Sequence, residues 1–219
     1  MTVRVLPILI AALAWLPQPP PLEARFIGNM AIAISDGAVT VMTDFPYQSG
    51  YSRYMTYPAD EIRSATPSTL SLITHRHLDH WDPALSDKTG WNVAGPLDVI
   101  ANVPASRVLP LARGATFGTV KIEPIETPHA SIGHYSYVLT WHGRRLYFSG
   151  DTESVDHLGT LKNLDVAFIS PWLYRSALKR NQRIDARRIV IYHHEAGESV
   201  PECRTNCVVP RQGDAIPIP

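Results

Sequence analysis

Hydrophobic residues along this chain fall in short runs rich in Val, Ile, Leu and aromatics, parted by Gly, Asp, Asn and Pro. That rhythm reads as strands with helices set between them. Ala31 to Ser35 and Val39 to Thr43 read as two strands around an Asp36-Gly37 turn, a strong hairpin signal. Thr69 to Thr74 reads as a buried strand. Asp82-Pro83 then looks like a helix N-cap with proline at the first helical position, and Gly90 ends that helix. Asp98 to Val103 is predicted as a strand and Pro104 to Ala112 as a helix. Strands follow over Val120 to Thr127 and Tyr135 to Trp141, and the His142-Gly143 turn leads into Arg145 to Ser149. Thr152 to Leu161 is predicted as a helix, Asp165 to Ser170 as a buried strand, and Arg187 to Tyr192 as the last strong strand. The expectation is an α/β layered protein.

The N-terminus departs from this rhythm. Arg4 precedes an apolar run from Val5 to Leu16, broken only by Pro7, and Pro17, Pro19, Pro20 and Pro21 follow. The run is too short for a stable membrane span and about right for a signal-peptide core. Residues 1–24 are therefore expected to be an apolar export leader, with a periplasmic or secreted destination, and residues 25–219 a single domain. The formal net charge is zero. A neutral chain lacks the electrostatic footprint of a polyanion binder, so no nucleic-acid partner is expected and a nuclease is disfavoured. Cys203 and Cys207 are the only cysteines. Export would favour a local disulfide between them; in the cytoplasm they would stay as thiols.

The chemistry concentrates in His75-Arg76-His77-Leu78-Asp79-His80, at the end of a predicted strand. Three imidazoles and a carboxylate crowd together at low cost only around something cationic, such as one or two divalent metals. In an extended segment His75 and His77 point to one side. Asp79 and His80 follow as the chain bends, and can face a second point nearby. Two metals need further ligands. His129 in Thr127-Pro128-His129, Asp151 in Ser149-Gly150-Asp151-Thr152, and His193 or His194 after the last strand are the candidates. Each lies just past a strand end. His134 competes with His129 and alternatively faces substrate or solvent. His193 and His194 are adjacent and point to opposite faces of a strand, so one belongs to the site, and His193 is preferred. His142 and His157 read as surface residues. Tyr47, Tyr51, Tyr54, Trp81 and Trp172 are candidate pocket aromatics.

Thr74-His-Arg-His-Leu-Asp-His80, Thr127-Pro-His129, Ser149-Gly-Asp-Thr152 and the terminal His193-His194, taken in order, resemble the metallo-β-lactamase superfamily of dinuclear metal hydrolases. The resemblance spans roughly residues 25–200, and the histidine start looks closest to lactonase-like and lipid-hydrolase-like branches. It implies a four-layer αβ/βα sandwich with the site at one edge. It also implies that His75, His77 and His129 bind a first metal, that Asp79, His80 and His193 bind a second, and that Asp151 bridges them. Asp44 would steady the ligand loop. The implied activity is hydrolysis of a small-molecule ester, lactone, amide or phosphodiester. Two zinc ions would share a hydroxide as nucleophile, with Asp79 and Asp151 as the catalytic carboxylates. The same ligand set can serve a non-haem di-iron redox enzyme, and some superfamily members are nucleases.

Overall fold

Two mixed β-sheets face each other in the computed structural model, which describes residues 20–50, 53–57, 60 and 68–219. The first sheet runs β1 (Glu23–Gly28), β2 (Ala31–Ser35), β3 (Val39–Thr43), β4 (Ser68–Leu72) and β5 (Asn92–Ala94), in that spatial order. Its first two pairings are antiparallel and its last two parallel. The second sheet contains β6 (Ala115–Phe117), β7 (Val120–Glu126), β8 (Tyr135–Trp141), β9 (Arg144–Phe148), β10 (Leu164–Ile169), β11 (Ala186–Ile191) and β12 (Cys207–Val208), again in sequence order. It is antiparallel from β6 to β9 and parallel from β9 to β12.

Strand alternation builds the layers. On β8, Tyr137, Leu139 and Trp141 point inward and join Ile32, Val41, Leu70 and Phe26 of the other sheet in one core, while Val138 points outward. On β10, Val166 and Phe168 face the same core, whereas Ala167 and Ile169 pack under Leu173 and Ala177 of helix α3 (Pro171–Lys179). β10 is buried on both faces, as a central parallel strand must be. On the other side, α1 (Pro83–Thr89) and α2 (Leu97–Ile100) flank the first sheet, where Val99 packs with Ile73, Trp81 and Val93. The order helix, sheet, sheet, helix is the four-layer sandwich expected.

Local signals explain the elements read correctly. Asp82 Oδ1 accepts the N–H groups of Ala84 at 2.9 Å and Leu85 at 3.3 Å, Pro83 opens α1, and Gly90 closes it at φ 66°. Three expectations are corrected. Asp98 to Val103 is not a strand: Pro96 starts a helical turn there, Val99 and Ile100 donate back to its carbonyl, and the true strand is the short β5 before it. Pro104 to Ala112 holds only a 3-10 turn at Ala105–Arg107, because Val108 and Leu109 leave it to pair with Val93. Thr152 to Leu161 is mostly loop, with a 3-10 turn at Leu158–Thr160: the Thr152 hydroxyl donates to the Pro128 carbonyl and accepts Ser154 N–H, and Ser154 in turn accepts Asp156 N–H, a run of local turns in place of a helix.

Helix α3 was missed, although Ser170 caps it by accepting from Leu173 N–H and Pro171 opens it. β1 was also missed, and it begins within the expected leader, whose residues 1–19 lie outside the described residues, as does Tyr51. Cys203 and Cys207 form a disulfide. Among the described residues no helix is long and apolar enough to cross a membrane.

Candidate metal centre

The site forms where strand ends from both sheets meet. β3 ends at Asp44, whose left-handed backbone (φ 43°) turns its buried carboxylate toward the end of β4. Asp44 Oδ1 accepts Thr74 N–H at 2.7 Å, the Thr74 hydroxyl lies 3.0 Å from both carboxylate oxygens, and Oδ2 lies 3.2 Å from His80 Nδ1. The sequence position of Asp44 thus becomes a brace under His75-x-His77-x-Asp79-His80. That motif folds back on itself because His80 and Trp81 both donate to the His77 carbonyl. Asn29, buried and left-handed at the β1–β2 turn, ties the two sides together. Its side-chain amide donates to the Asp79 carbonyl, and its own carbonyl accepts His193 N–H at 2.8 Å. Nothing in the chemistry of an Asn in a Gly-Asn turn marks it for that role beforehand.

All seven predicted ligands converge. His75 Nε2 lies 2.9 Å from His77 Nδ1, which lies 3.4 Å from His129 Nε2. His80 Nε2 lies 3.2 Å from His193 Nε2 and 3.7 Å from Asp79 Oδ2, and the latter two are 3.4 Å apart. The Asp151 carboxylate stands between these groups. Its Oδ2 is 3.9 Å from His75 Nε2 and from His129 Nε2 and 3.4 Å from His80 Nε2, and its Oδ1 is 3.3 Å from His193 Nε2.

These separations test the donor set. Bonds of about 2.0–2.1 Å in tetrahedral geometry place donors about 3.3 Å apart. The separations within the triads, 2.9 and 3.4 Å in the first and 3.2, 3.4 and 3.7 Å in the second, fall around that spacing. Nitrogens aimed at nitrogens are poor neighbours unless a cation or proton lies between them, and buried Asp151 Oδ1 makes no hydrogen bond despite its neighbour. The residues present fit divalent metal, with the Asp151 carboxylate lying between the two triads.

The electrostatics agree. Burial drives the His75 imidazole far below the usual histidine range, with the neighbouring His80 adding to it. Burial also opposes charge on His80 and His193. Asp151 and Asp44 outweigh it at His80, and Asp151 and Asp79 do so at His193, so both are raised. Burial raises the Asp151 carboxyl, yet His193 and His80 hold it well below the carboxylate range. The site is a mutually compensated charge cluster.

Other candidates fall elsewhere. His194 turns away, with Nε2 3.0 Å from the Pro210 carbonyl and its ring stacked on Phe26. His134 is buried and not among the converging donors: its Nε2 accepts Asp151 N–H at 2.9 Å, and its ring borders the open cavity beside His129. Tyr47 and Trp81 are core residues, Tyr47 bonding the Met55 carbonyl and Trp81 packing under Val99. Tyr54 and Trp172 do reach the site, with ring centroids 4.5 Å and 4.8 Å from that of His193 on either side. Trp172 Nε1 also donates to the Asp151 carbonyl at 3.2 Å. His142 and His157 are partly buried rather than free on the surface, the first 2.9 Å from Asp36 Oδ2 and the second against Tyr147. An open cavity of about 810 Å³ adjoins His129, lined by Glu126, Pro128 and Glu153 among others.

Known proteins share this arrangement of chain. A UPF0173 metal-dependent hydrolase of Deinococcus radiodurans is 26% identical over 164 residues, covering 68% of this chain and 71% of the relative. The structure of a metallo hydrolase from the archaeon Ignicoccus hospitalis superposes with a TM-score of 0.70 at 16% identity, over 89% of this chain and 97% of that one. The diiron β-hydroxylase CmlA of Streptomyces venezuelae matches with a TM-score of 0.55 at 13% identity, over 81% of this chain and 46% of its own. The family model of the beta-lactamase superfamily domain matches residues 44–203, from the aspartate that braces His80 to the first cysteine of the disulfide, and the chain belongs to that metallo-β-lactamase superfamily.

Proposed function

We propose that this protein is a metal-dependent hydrolase that holds two divalent ions and cleaves a small ester, lactone, amide or phosphodiester. The observation that carries the reading is the position of the Asp151 carboxylate, whose oxygens lie within 3.9 Å of histidine nitrogens from both donor triads. His75, His77 and His129 would hold one ion and Asp79, His80 and His193 the other, with Asp151 within reach of both groups. The nitrogen-rich set suits zinc. The chemistry that divalent metal would supply there is a lowered pKa of bound water and polarisation of a carbonyl or phosphoryl oxygen.

The chain's own residues do the rest. Asp44, its Oδ2 3.2 Å from His80 Nδ1, would hold the imidazole proton there and leave Nε2 to bind metal in place of its own proton. Asp79, its carboxylate 3.4 Å from His193 Nε2, would serve both as a ligand and to orient a water for attack. Tyr54 and Trp172 wall the His193 side, exclude bulk water and offer apolar faces to a substrate. The Cys203–Cys207 disulfide supports a periplasmic or secreted location.

A panel of chromogenic esters, lactones, β-lactams and phosphodiesters, run before and after chelation and again with Asp151→Ala, tests this. Hydrolysis that vanishes on chelation, returns with zinc and is lost in the variant is the expected result. Hydrolysis surviving both treatments would remove the reading. The same preparation separates zinc from the iron alternative: a zinc protein is colourless, whereas a di-iron redox centre absorbs visible light.

A further inference from the structure

The turn that carries Asp151 is gripped by buried side chains that metal binding itself does not use. Asp151 donates its backbone N–H to His134 Nε2 at 2.9 Å. His134 Nδ1 lies 2.8 Å from Thr127 Oγ1, Thr127 Oγ1 lies 3.1 Å from Ser136 Oγ, and the Ser136 hydroxyl donates to the Ser149 carbonyl at 2.6 Å. The path leaves the chain at Asp151 and returns to it two residues earlier. It closes a ring around Gly150, through side chains no more than 5% exposed.

Proton counting fixes the direction of every bond in that ring. The Ser149 carbonyl can only accept, so the one Ser136 proton goes to it. Ser136 Oγ must then accept from Thr127, whose hydroxyl has no second proton to give. Thr127 Oγ1 is left as an acceptor, so His134 carries its proton on Nδ1. The other end gives the same answer independently, because Asp151 N–H can only donate and His134 Nε2 must be bare. All four hydrogens run one way, an arrangement in which each bond polarises the next.

The enclosed turn has no slack. Gly150 sits at φ +58°, its N–H donates to Tyr192 Oη at 3.0 Å, and a Cβ there would lie 2.4 Å from His134 Nε2. Ser149 N–H is held by the Phe168 carbonyl. Every backbone group that sets the direction of the Asp151 carboxylate is therefore tied.

We propose that His134 is a positioning residue: locked as the Nδ1–H tautomer by Thr127 and Ser136, it fixes the Asp151 turn so that the shared carboxylate is pre-set between the two metal-binding triads. The inference rests on Asp151 being the shared ligand. It adds that the donor set is pre-organised by a ring whose members contact no metal.

Two measurements test it. Long-range proton–nitrogen correlation NMR on metal-free protein labelled at the histidine nitrogens reports which His134 nitrogen bears the proton. Nδ1–H is expected, and an Nε2–H tautomer or an imidazolium at neutral pH would overturn the proposal whatever the metal content. Zinc affinity by chelator competition, with the cobalt-substituted absorption spectrum alongside, is then compared in Thr127→Val and Thr127→Ser. Removing the hydroxyl from this near-isosteric site should weaken zinc binding roughly 10–100-fold and alter the cobalt spectrum, as loss of a group behind a ligand does. Serine, which keeps the oxygen, should restore both. Wild-type zinc affinity and spectrum in Thr127→Val would overturn the inference. Wild-type protein that takes up no metal would instead remove the functional reading, leaving the tautomer measurement to judge the ring alone.

Discussion

Replacing Gly150 with alanine perturbs the turn at its tightest point, and the cost can be worked from geometry. At φ +58° an L-residue pays about 1 kcal/mol relative to glycine. The new Cβ would stand 2.4 Å from His134 Nε2, 2.7 Å from Cε1 and 3.0 Å from Thr74 Cβ. None of these is the free end of a flexible chain, since His134 is bonded at both nitrogens. Relieving such overpacking costs about 1–3 kcal/mol. The sum is about 2–4 kcal/mol, or a fall in Tm of roughly 4–16 °C for a domain of this size. Gly143→Ala is the control. Gly143 has φ +78° and nothing within 4 Å of a Cβ, so it carries the backbone penalty without the clash. Thermal unfolding of metal-free protein, followed by circular dichroism, reads both variants. Gly150→Ala must lose about 1–3 kcal/mol more than Gly143→Ala. Equal losses would refute the claim that His134 is immovably packed against the Asp151 turn.

Asp44→Asn should keep the fold but weaken zinc binding roughly 10–100-fold, because His80 loses the carboxylate behind its Nδ1; unchanged affinity in a chelator competition would contradict the brace. Burial opposes charge on the Asp36 carboxylate, but bonds from Val39 N–H, His142, Thr119 and Ala38 N–H hold it far below the usual carboxylate range. A depressed carboxyl contributes stability that is fully present above the unfolded-chain carboxylate range and is lost as pH falls through the folded-state value. Asp36→Asn should therefore be less stable at neutral pH and show a shallower loss in acid, and parallel pH–stability curves would count against this. The Cys203–Cys207 bridge closes a loop of sequence separation 4 and is worth about 2 kcal/mol by loop entropy. Cys203→Ser should then lower Tm by roughly 4–8 °C without unfolding the protein, and a fall indistinguishable from zero would show that the bridge does not constrain the unfolded chain.

The site was more legible in the sequence than the fold around it. Metal donors come from a short list of side-chain types, so His75, His77, Asp79 and His80 announce themselves by type and spacing, and all seven candidates come together. The supporting residues use generic chemistry. His134 reads as a spare ligand because a histidine that accepts a backbone N–H looks the same in sequence as one that binds metal. Asn29 carries no signal, and Thr127 enters only as the start of Thr127-Pro-His129, with nothing to mark its hydroxyl for His134. Among the elements, long alternating strands such as Tyr135 to Trp141 were clear because burial follows period two. The short strand Asn92–Ala94 has too few residues to show a period, and Asp98 to Val103 was mistaken for a strand because its apolar residues do not reveal that only Val99 is buried in α2. Helix α3 hid behind the apolar run of β10, although Ser170-Pro171 gives its capping signal. The aromatics divided by burial: Tyr47 and Trp81 build core, whereas Tyr54 and Trp172 frame His193.

Elemental analysis of purified protein, loaded with zinc and freed of excess by gel filtration, tests the two-triad centre most directly when wild type and Asp151→Ala are run together. The account predicts two ions per wild-type chain and a clear deficit in the variant, whose triads have lost their common oxygen donor. Wild-type protein that retains no stoichiometric metal after reconstitution, or a variant that keeps both ions, would contradict it.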